Sequence, residues 1–480
     1  MAIGTNNVKL RDIHFEFGSA ASGNYKMSQL YANTVTDISG SVANVPGYTF
    51  NNSSVSVPIS GQIAKSNFLG TSYGYTTYSY SIPYNGTFYQ VGIDSGNYAY
   101  SVGYEGTDAI LYILSSIGVP QYRKAYASGS SIAFVDCFTL SGGTTYAVGT
   151  NVSGTTGYLV SFSSVGAINW QKSVDIGLHG VSVDTGTGNI FVAGNDSSNV
   201  YIMCFNSSGT LQWQRRVGSS ASLKAFRAAI FALTASSIGV MCRSDSSSGG
   251  LYILWYDLSG TLLAFIKVTS ANRLIPDEYQ GQKASAAEGF LNTFSACNSS
   301  ATVFYGCYFR LQTGAFQFFR ELNHPAGTTY FTRMGLSGTT ASISGQSYQS
   351  SIGNPAATIF KYNTSGVFSS GLSLHNTYKA GARGRFGYGA VTDGTYAYTS
   401  GFGGSSNEGQ HITKINISTM ATATNLLNWA TIYTEADTRS NWSFTTTVSE
   451  LSDNAGNRTV STPTNSVSNR SHTNGIIKFS

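Results

Sequence analysis

One phrase recurs along this 480-residue chain and limits what it can become: an alternating apolar strand, a tight turn at glycine, an aromatic residue, and a basic residue two positions later. It is plainest in residues 158–172 (YLVSFSSVGAINWQK) and 201–215 (YIMCFNSSGTLQWQR), whose turn glycines are Gly166 and Gly209. Gly118, Gly260, Gly314 and Gly366 extend the series at intervals of 43–54 residues, and residues 411–417 (HITKINI) with a turn at 418–421 supply a seventh unit. Upstream of the hairpins lies a second recurring strand, seen at 96–104 (GNYAYSVGY), 144–151 (TTYAVGTN), 188–196 (GNIFVAGND), 237–244, 340–347 and 394–402. Its fifth copy, 290–297 (FLNTFSAC), diverges most. One more strand precedes each of these, as at 131–139 (SIAFVDCFT), so each unit holds four strands. A unit this short cannot bury its apolar faces alone and must stack against its copies.

Four short strands per unit and seven units predict an all-β fold, a seven-bladed β-propeller over residues 76–436. Composition agrees. Charged residues are 10% of the chain, against roughly a quarter in soluble domains. The Thr and Tyr that replace them suit half-buried pleated surfaces rather than exposed helix faces. The local phrases resemble the repeats of large bacterial propeller families, in which "GN-hydrophobic-Y/F-V-A-G" precedes "G-x-L-x-W". That resemblance implies fold and not activity.

Strand periodicity predicts that residues two apart share a face. Ile168 with Trp170, Leu211 with Trp213, and Phe316 with Phe318 are therefore expected in the same gap between sheets. Lys124, Lys172, Arg215 and Arg320 close these strands, where a charge would guard an open sheet edge. The fourth and sixth units depart from the rule, with Phe265 and Lys267 shifted by one and Ser370 in place of the ring, and are expected to be bulged or less well packed.

Residues 1–75 read differently. Three phrases follow one another at 8–18 (VKLRDIHFEFG), 25–32 (YKMSQLYA) and 57–70 (VPISGQIAKSNFLG). They resemble, in order, a small module of tailed-bacteriophage structural proteins. Leu10, Asp12, Ile13, Glu16, Phe17 and Gly18 match the first phrase. Met27, Ser28, Leu30 and Tyr31 match the second, and Pro58, Ser60, Gly61, Ile63, Ser66, Phe68 and Gly70 the third. Arg11, Ala64, Lys65 and Asn67 depart from it. The resemblance implies a tail or virion protein, attached through residues 1–75 to other phage proteins and present in several copies. A segment this short is best stabilised against a partner. Residues 437–480, rich in Ser, Thr and Asn, read as a polar tail: a docking arm, or a strand at 476–480 (IIKFS) that closes the last blade.

Composition and motifs exclude several classes. A net charge of +5 without a run of Lys or Arg argues against nucleic acid. No apolar signal core opens the sequence, so synthesis in the host cytoplasm and residence in the virion tail are expected. Five cysteines at irregular spacing read as buried thiols, and six scattered histidines lack metal-ligand spacing. Ser182, Asp184 and Gly186 touch the sialidase turn pattern, but Gly188 and Asn189 replace its final Thr and Trp, which leaves an Asp-Gly turn. Quinone-dependent propellers share the turn-then-Trp rhythm but need cofactor ligands and, in many members, adjacent cysteines, and this sequence has no such pair. No enzyme and no cofactor are expected.

Two connections stand out by charge. Residues 271–288 carry Arg273, Asp277, Glu278, Tyr279 and Lys283, and residues 376–389 carry Tyr378, Lys379, Arg383, Arg385, Phe386 and Tyr388. Guanidinium forks grip phosphate or carboxylate, and rings stack on sugars. Arg273, Tyr279, Tyr378, Lys379, Arg383, Arg385 and Tyr388 are thus the candidate contacts to a host cell-surface glycan or protein. The expected task is host-surface contact by a tail fibre, adhesin or tail-tip component, with a purely architectural virion protein (collar or capsid decoration) as the close alternative and a polysaccharide-degrading tail enzyme as the remote one.

Overall fold

A computed structural model describes the backbone of residues 34–36, 42–44, 78–82, 86–127, 129–219, 223–234, 237–244, 251–268, 385–403 and 410–417. It also describes strands between 275 and 374 and between 430 and 479, with side chains chiefly in 86–218, 254–263, 389–401 and 410–417. The phrases at 8–18, 25–32 and 57–70 lie outside the described residues, where segment 1–75 contributes one antiparallel pair, Thr34–Thr36 with Val42–Asn44.

No helix occurs among the described residues. Beyond that pair, the strands form six sheets of five and one of seven, all antiparallel. In the first sheet Gly86–Ile93, Ala99–Glu105, Asp108–Leu114 and Pro120–Ala127 lie side by side in chain order. The innermost strands then meet in a cycle: Gly86–Ile93, Ile132–Thr139, Gly177–Val183, Leu223–Thr234, Gln282–Ser285, Thr329–Ser337 and Arg385–Thr392, the last returning to the first. A ring of radial antiparallel sheets is a β-propeller. The fifth sheet is the irregular one, its second strand broken into Gly289–Asn292 and Ser295–Cys297.

The last sheet is completed from the other end of the chain. Its fourth strand is Tyr78–Ile82, paired with Gln410–Asn416, and not a segment following 418–421. Joining a strand from before the first sheet to the last one ties the ring shut.

Residues 430–479 add an outer strand to every sheet, in reverse order for the first six. Ala430–Ile432 pairs with the sixth sheet, Ala436–Thr438 with the fifth, Phe444–Thr445 with the fourth and Leu451–Ala455 with the third. Val460–Ser461 pairs with the second and Ser466–Asn469 with the first, and Ile476–Phe479 lies against Tyr78–Ile82 in the seventh. The tail is a strap around the perimeter. It pairs in the first six sheets with the second half of each fourth strand, at 124–127, 173–174, 215–219, 267–268, 321–323 and 372–374. Lys124 therefore faces Asn469, Arg215 faces Ala455, and Lys267 faces Thr445 across a ladder. These cations do not guard an open edge, because the strap occupies it.

The first half of each fourth strand carries a one-residue bulge, at Gln121, Asn169, Gln212, Leu263, Gln317 and Ser369. The bulge of the fourth and sixth units is thus shared by the first six sheets. It also corrects the expected faces, since one extra residue breaks the alternation. Ile168 lies opposite Phe162 and Trp170 opposite Ser161. Ile168 packs in the apolar cluster between the first and second sheets, and Trp170 in that between the second and third. Leu211 and Trp213 part in the same way.

Trp170 and Trp213 each dock under the next sheet's turn. The Trp170 Nε1 donates to Ser207 O at 2.9 Å, and the Trp213 Nε1 to Leu258 O at 2.8 Å. A Cβ on Gly209 or Gly260 would stand 2.8 Å from those rings, and both glycines have φ near +80° (79° and 84°). The turn glycine is thus required twice, by its left-handed backbone and by the ring of the preceding sheet. A half-buried indole with its N–H bonded stabilises each seam by about 2 kcal/mol.

Candidate functional site

The strands lining the axis share one irregularity. In each of five the pairing register skips one residue near the start: Tyr89, Val135, His179, Thr332 and Tyr388. The fourth sheet has a larger version, with 226–229 left out of register between Ala225 and Ile230. The residues paired just before each bulge are Gly103, Gly149, Gly194, Gly345 and Gly401, which are the glycines of the recurring second-strand phrase. A Cβ on Gly103 would lie 1.8 Å from Thr87 O, and one on Gly149 2.1 Å from Ala133 O. The bulged axial backbone crosses too close for any side chain. Bulges re-aim side chains at barrel rims and binding sites, and here they recur at one level of the axis. Tyr89 stacks on Tyr104 with centroids 5.9 Å apart, His179 is half-buried, and Val135 is buried.

The seam between the seventh and first sheets is stitched by polar side chains. Gln90 Oε1 accepts from Ala390 N at 3.1 Å and from Val91 N at 3.0 Å. Gln410 Nε2 donates to Tyr104 O at 2.6 Å. The Lys414 ammonium donates to Ser116 O at 3.0 Å and stands 4.2 Å from the Tyr396 ring centroid. Burial pulls the Lys414 pKa below the usual lysine value, against the partial opposition of Asp393. Next to this seam, Arg123 pairs with Glu105.

Of the residues expected to bind a host surface, Arg273, Tyr279, Tyr378, Lys379 and Arg383 lie outside the described residues. Arg385 and Tyr388 were expected in a connection, yet both belong to the axial strand Arg385–Thr392. Residues 385–392 (RFGYGAVT) pair along 397–403, with Arg385 opposite Gly403 and Tyr388 at the bulge. Both charged stretches follow a fourth strand and run into the next axial strand: Leu262–Val268 precedes one and Gln282–Ser285 falls within it, while Phe368–Leu374 precedes the other and Arg385–Thr392 overlaps its end. In an antiparallel ring such junctions open on one end, shared with the second-to-third-strand turns. Val268 and Gln282, and Leu374 and Arg385, the described ends of these strands, thus lie on the same face, two sheets apart. The strap runs along that side of the perimeter.

Asp184 is engaged by its own turn, and the described thiols are buried. Asp184 accepts from Gly186 N at 3.1 Å, Thr187 N at 3.2 Å and the Thr187 hydroxyl, which holds it to its own turn. Cys137, Cys204 and Cys242 are buried and unbridged, and burial pushes the Cys204 thiol up to about 12. Among the described residues no group of three His, Cys, Asp or Glu is placed to hold a metal ion.

Sequence reasoning missed a cluster on the perimeter. Arg458 of the strap pairs with Asp196 and donates to the Tyr201 hydroxyl at 2.7 Å, its guanidinium 4.3 Å from the Tyr201 ring centroid. Burial raises the Asp196 pKa, but the amides of Ser198 and Asn199, the Tyr201 hydroxyl and Arg458 outweigh it and leave the carboxyl below its usual value. Nothing local in the sequence around Arg458 marks its partner 262 residues away.

No protein-family model matches this chain, and no curated protein matches it. Among solved structures it is similar to the Dos1 propeller, at 11% identity and a TM-score of 0.42 over 71% of this chain and 95% of that one. The beta-propeller domain of Myceliophteria thermophila Cps50 (Swd1) aligns at 9% identity and a TM-score of 0.41, covering 71% and 99%. Prolyl oligopeptidase B from Galerina marginata aligns at 11% identity and 0.43, covering 75% of this chain and 52% of that one. These are distant likenesses in strand arrangement, and the propeller assignment stands on the strand pairing itself.

Proposed function

We propose that this chain is a structural protein of a tailed-phage particle, in which residues 1–75 attach a propeller to the tail and the propeller presents one end to the host surface. On this reading it is a tail fibre, adhesin or tail-tip component, present in several copies. The observation that carries it is that the strands leading into and out of the two stretches mixing cations with aromatics end and begin on one face of the ring, at Val268 and Gln282 in one case and at Leu374 and Arg385 in the other. Loops on a rigid scaffold are where propellers bind. Arginines among tyrosines suit an anionic glycan, whose phosphates or carboxylates take the guanidinium forks while the rings stack on sugar faces. The ordered phrases of residues 1–75 support the attachment half of the proposal.

The test combines labelling of the intact particle with adsorption. An antibody against residues 1–75 should decorate the tail, and purified chain should compete with particles for host cells. The Arg383→Ala/Arg385→Ala pair should weaken that competition by about tenfold, as expected for losing charged hydrogen bonds. Decoration of the collar or capsid with no competition would replace the adhesin by an architectural role. Release of glycan fragments from host envelope would replace it by an enzyme.

A further inference from the structure

In the first six sheets the fourth strand follows the third directly in the chain, whereas in the seventh it arrives from the other end of the sequence. That strand, Tyr78–Ile82, is clasped on both edges. Its inner edge pairs over five residues, from Tyr78 with Lys414 to Ile82 with Gln410. Its outer edge pairs over four, from Tyr78 with Phe479 to Ser81 with Ile476.

The inner partner is fastened in its turn. Gln410, Ile412 and Lys414, which lie opposite Ile82, Tyr80 and Tyr78, are residues whose side chains reach the first sheet. Gln410 Nε2 donates to Tyr104 O at 2.6 Å, and the Lys414 ammonium donates to Ser116 O at 3.0 Å. Between them Ile412 packs in an apolar cluster with Phe88, Val91 and Tyr112. Ile82 itself leads through residues 83–85 into Gly86, the start of the first axial strand. The clasped strand, its inner partner and the sheet it feeds are thus joined at three levels.

Direction gives this arrangement its consequence. Tyr78 lies at the Lys414 end, level with the turn 115–119, so the chain enters the ring from the end opposite to Val268, Gln282, Leu374 and Arg385. A pull between that far end and the residues before Tyr78 therefore runs along the strand. It shears the pairs of both ladders together instead of opening them one after another. From this geometry we infer that Tyr78–Ile82 is a force-bearing joint, through which the ring resists tension between its far end and whatever the residues before Tyr78 are fixed to. Single ladder bonds are weak, each netting about 0.5–1.5 kcal/mol, and shear makes them act at once. The joint rests on strand pairing and stands whether or not the chain belongs to a phage particle.

Single-molecule stretching of the full chain tests it, since rupture under force reads the barrier to strand escape. One handle peptide is inserted after Val152, which is 84% exposed in a turn at the far end, and the other either before Thr76 or after Ser480. A pull through Ser480 shears the outer ladder, and a pull through Thr76 shears both. At equal loading rates the first rupture through Thr76 should need about twice the force of that through Ser480. A disulfide supplies a second reading. Ser79 lies opposite Thr413, within reach of a cross-strand bridge, so S79C/T413C can be oxidised to bolt the inner edge. Oxidation should abolish the rupture through Thr76 and leave that through Ser480 unchanged, and reduction should restore it. Equal forces from the two ends, a weaker rupture through Thr76, or a rupture there indifferent to the disulfide would each overturn the inference.

Discussion

Replacing Gly149 by alanine tests whether the recurring second-strand glycine exists for the axial bulge. Its Cβ would sit 2.1 Å from Ala133 O and 2.9 Å from the Phe134 Cα, both backbone atoms of the bulged strand. Ordinary contact begins at 3.4 Å, so the backbone must retreat by over 1 Å or the bulge must be expelled. Overpacking against backbone at this scale costs about 3 kcal/mol. Gly154 in the same sheet supplies the control. Its φ is +71° with nothing within 4 Å of a built Cβ, so alanine there meets only the left-handed penalty of about 1 kcal/mol. The difference, about 2 kcal/mol, corresponds to roughly a thirtyfold change in the folded-to-unfolded ratio. Urea unfolding at 25 °C, followed by tryptophan fluorescence, should rank wild type above Gly154→Ala and that above Gly149→Ala. Equal midpoints for the two variants, or the reverse order, would refute the argument that backbone crossing dictates this glycine.

Three further outcomes are expected. Trp213→Phe keeps most of the ring but loses the donor to Leu258 O, and should cost about 1 kcal/mol in the same assay, with Trp213→Ala costing about twice that or more. The strap should loosen in acid: the Asp196 pKa is lowered on folding, so its contribution is fully present above the unfolded value near 4 and is lost as pH falls through the depressed one. Hydrogen exchange of 451–455 relative to the inner strands, compared at pH 5 and pH 3 after correction for intrinsic rates, reads this directly, and an unchanged ratio would contradict it. Finally, Cys137, Cys204 and Cys242 should resist alkylation in the native protein at pH 8 and react once it is unfolded, as mapped by peptide mass.

What the sequence revealed was local. The turn glycines, the paired strands and the indole four residues after Gly166 and Gly209 all lie within one hairpin, so their spacing announced the repeat. The bulge at Asn169 or Gln212 was hidden because an extra residue leaves no trace in composition, and without it Ile168 and Trp170 were assigned to one face. The strap was hidden for a different reason. Its strands are two to five residues of mostly Ser, Thr, Asn and Ala, too short to show alternation, and their partners lie far back along the chain. Arg385 and Tyr388 stood out by charge and ring, but their chemistry gave no hint that a strand begins at Arg385 rather than after Gly389.

The perimeter strap also sets an order of assembly. A ribosome delivers the first sheet's four strands early, yet the strand that completes that sheet, Ser466–Asn469, emerges only after the outer strands of the second to sixth sheets. Translation therefore cannot finish this ring piece by piece. Any product interrupted before residue 430 would carry seven incomplete sheets at once, a ready surface for quality control.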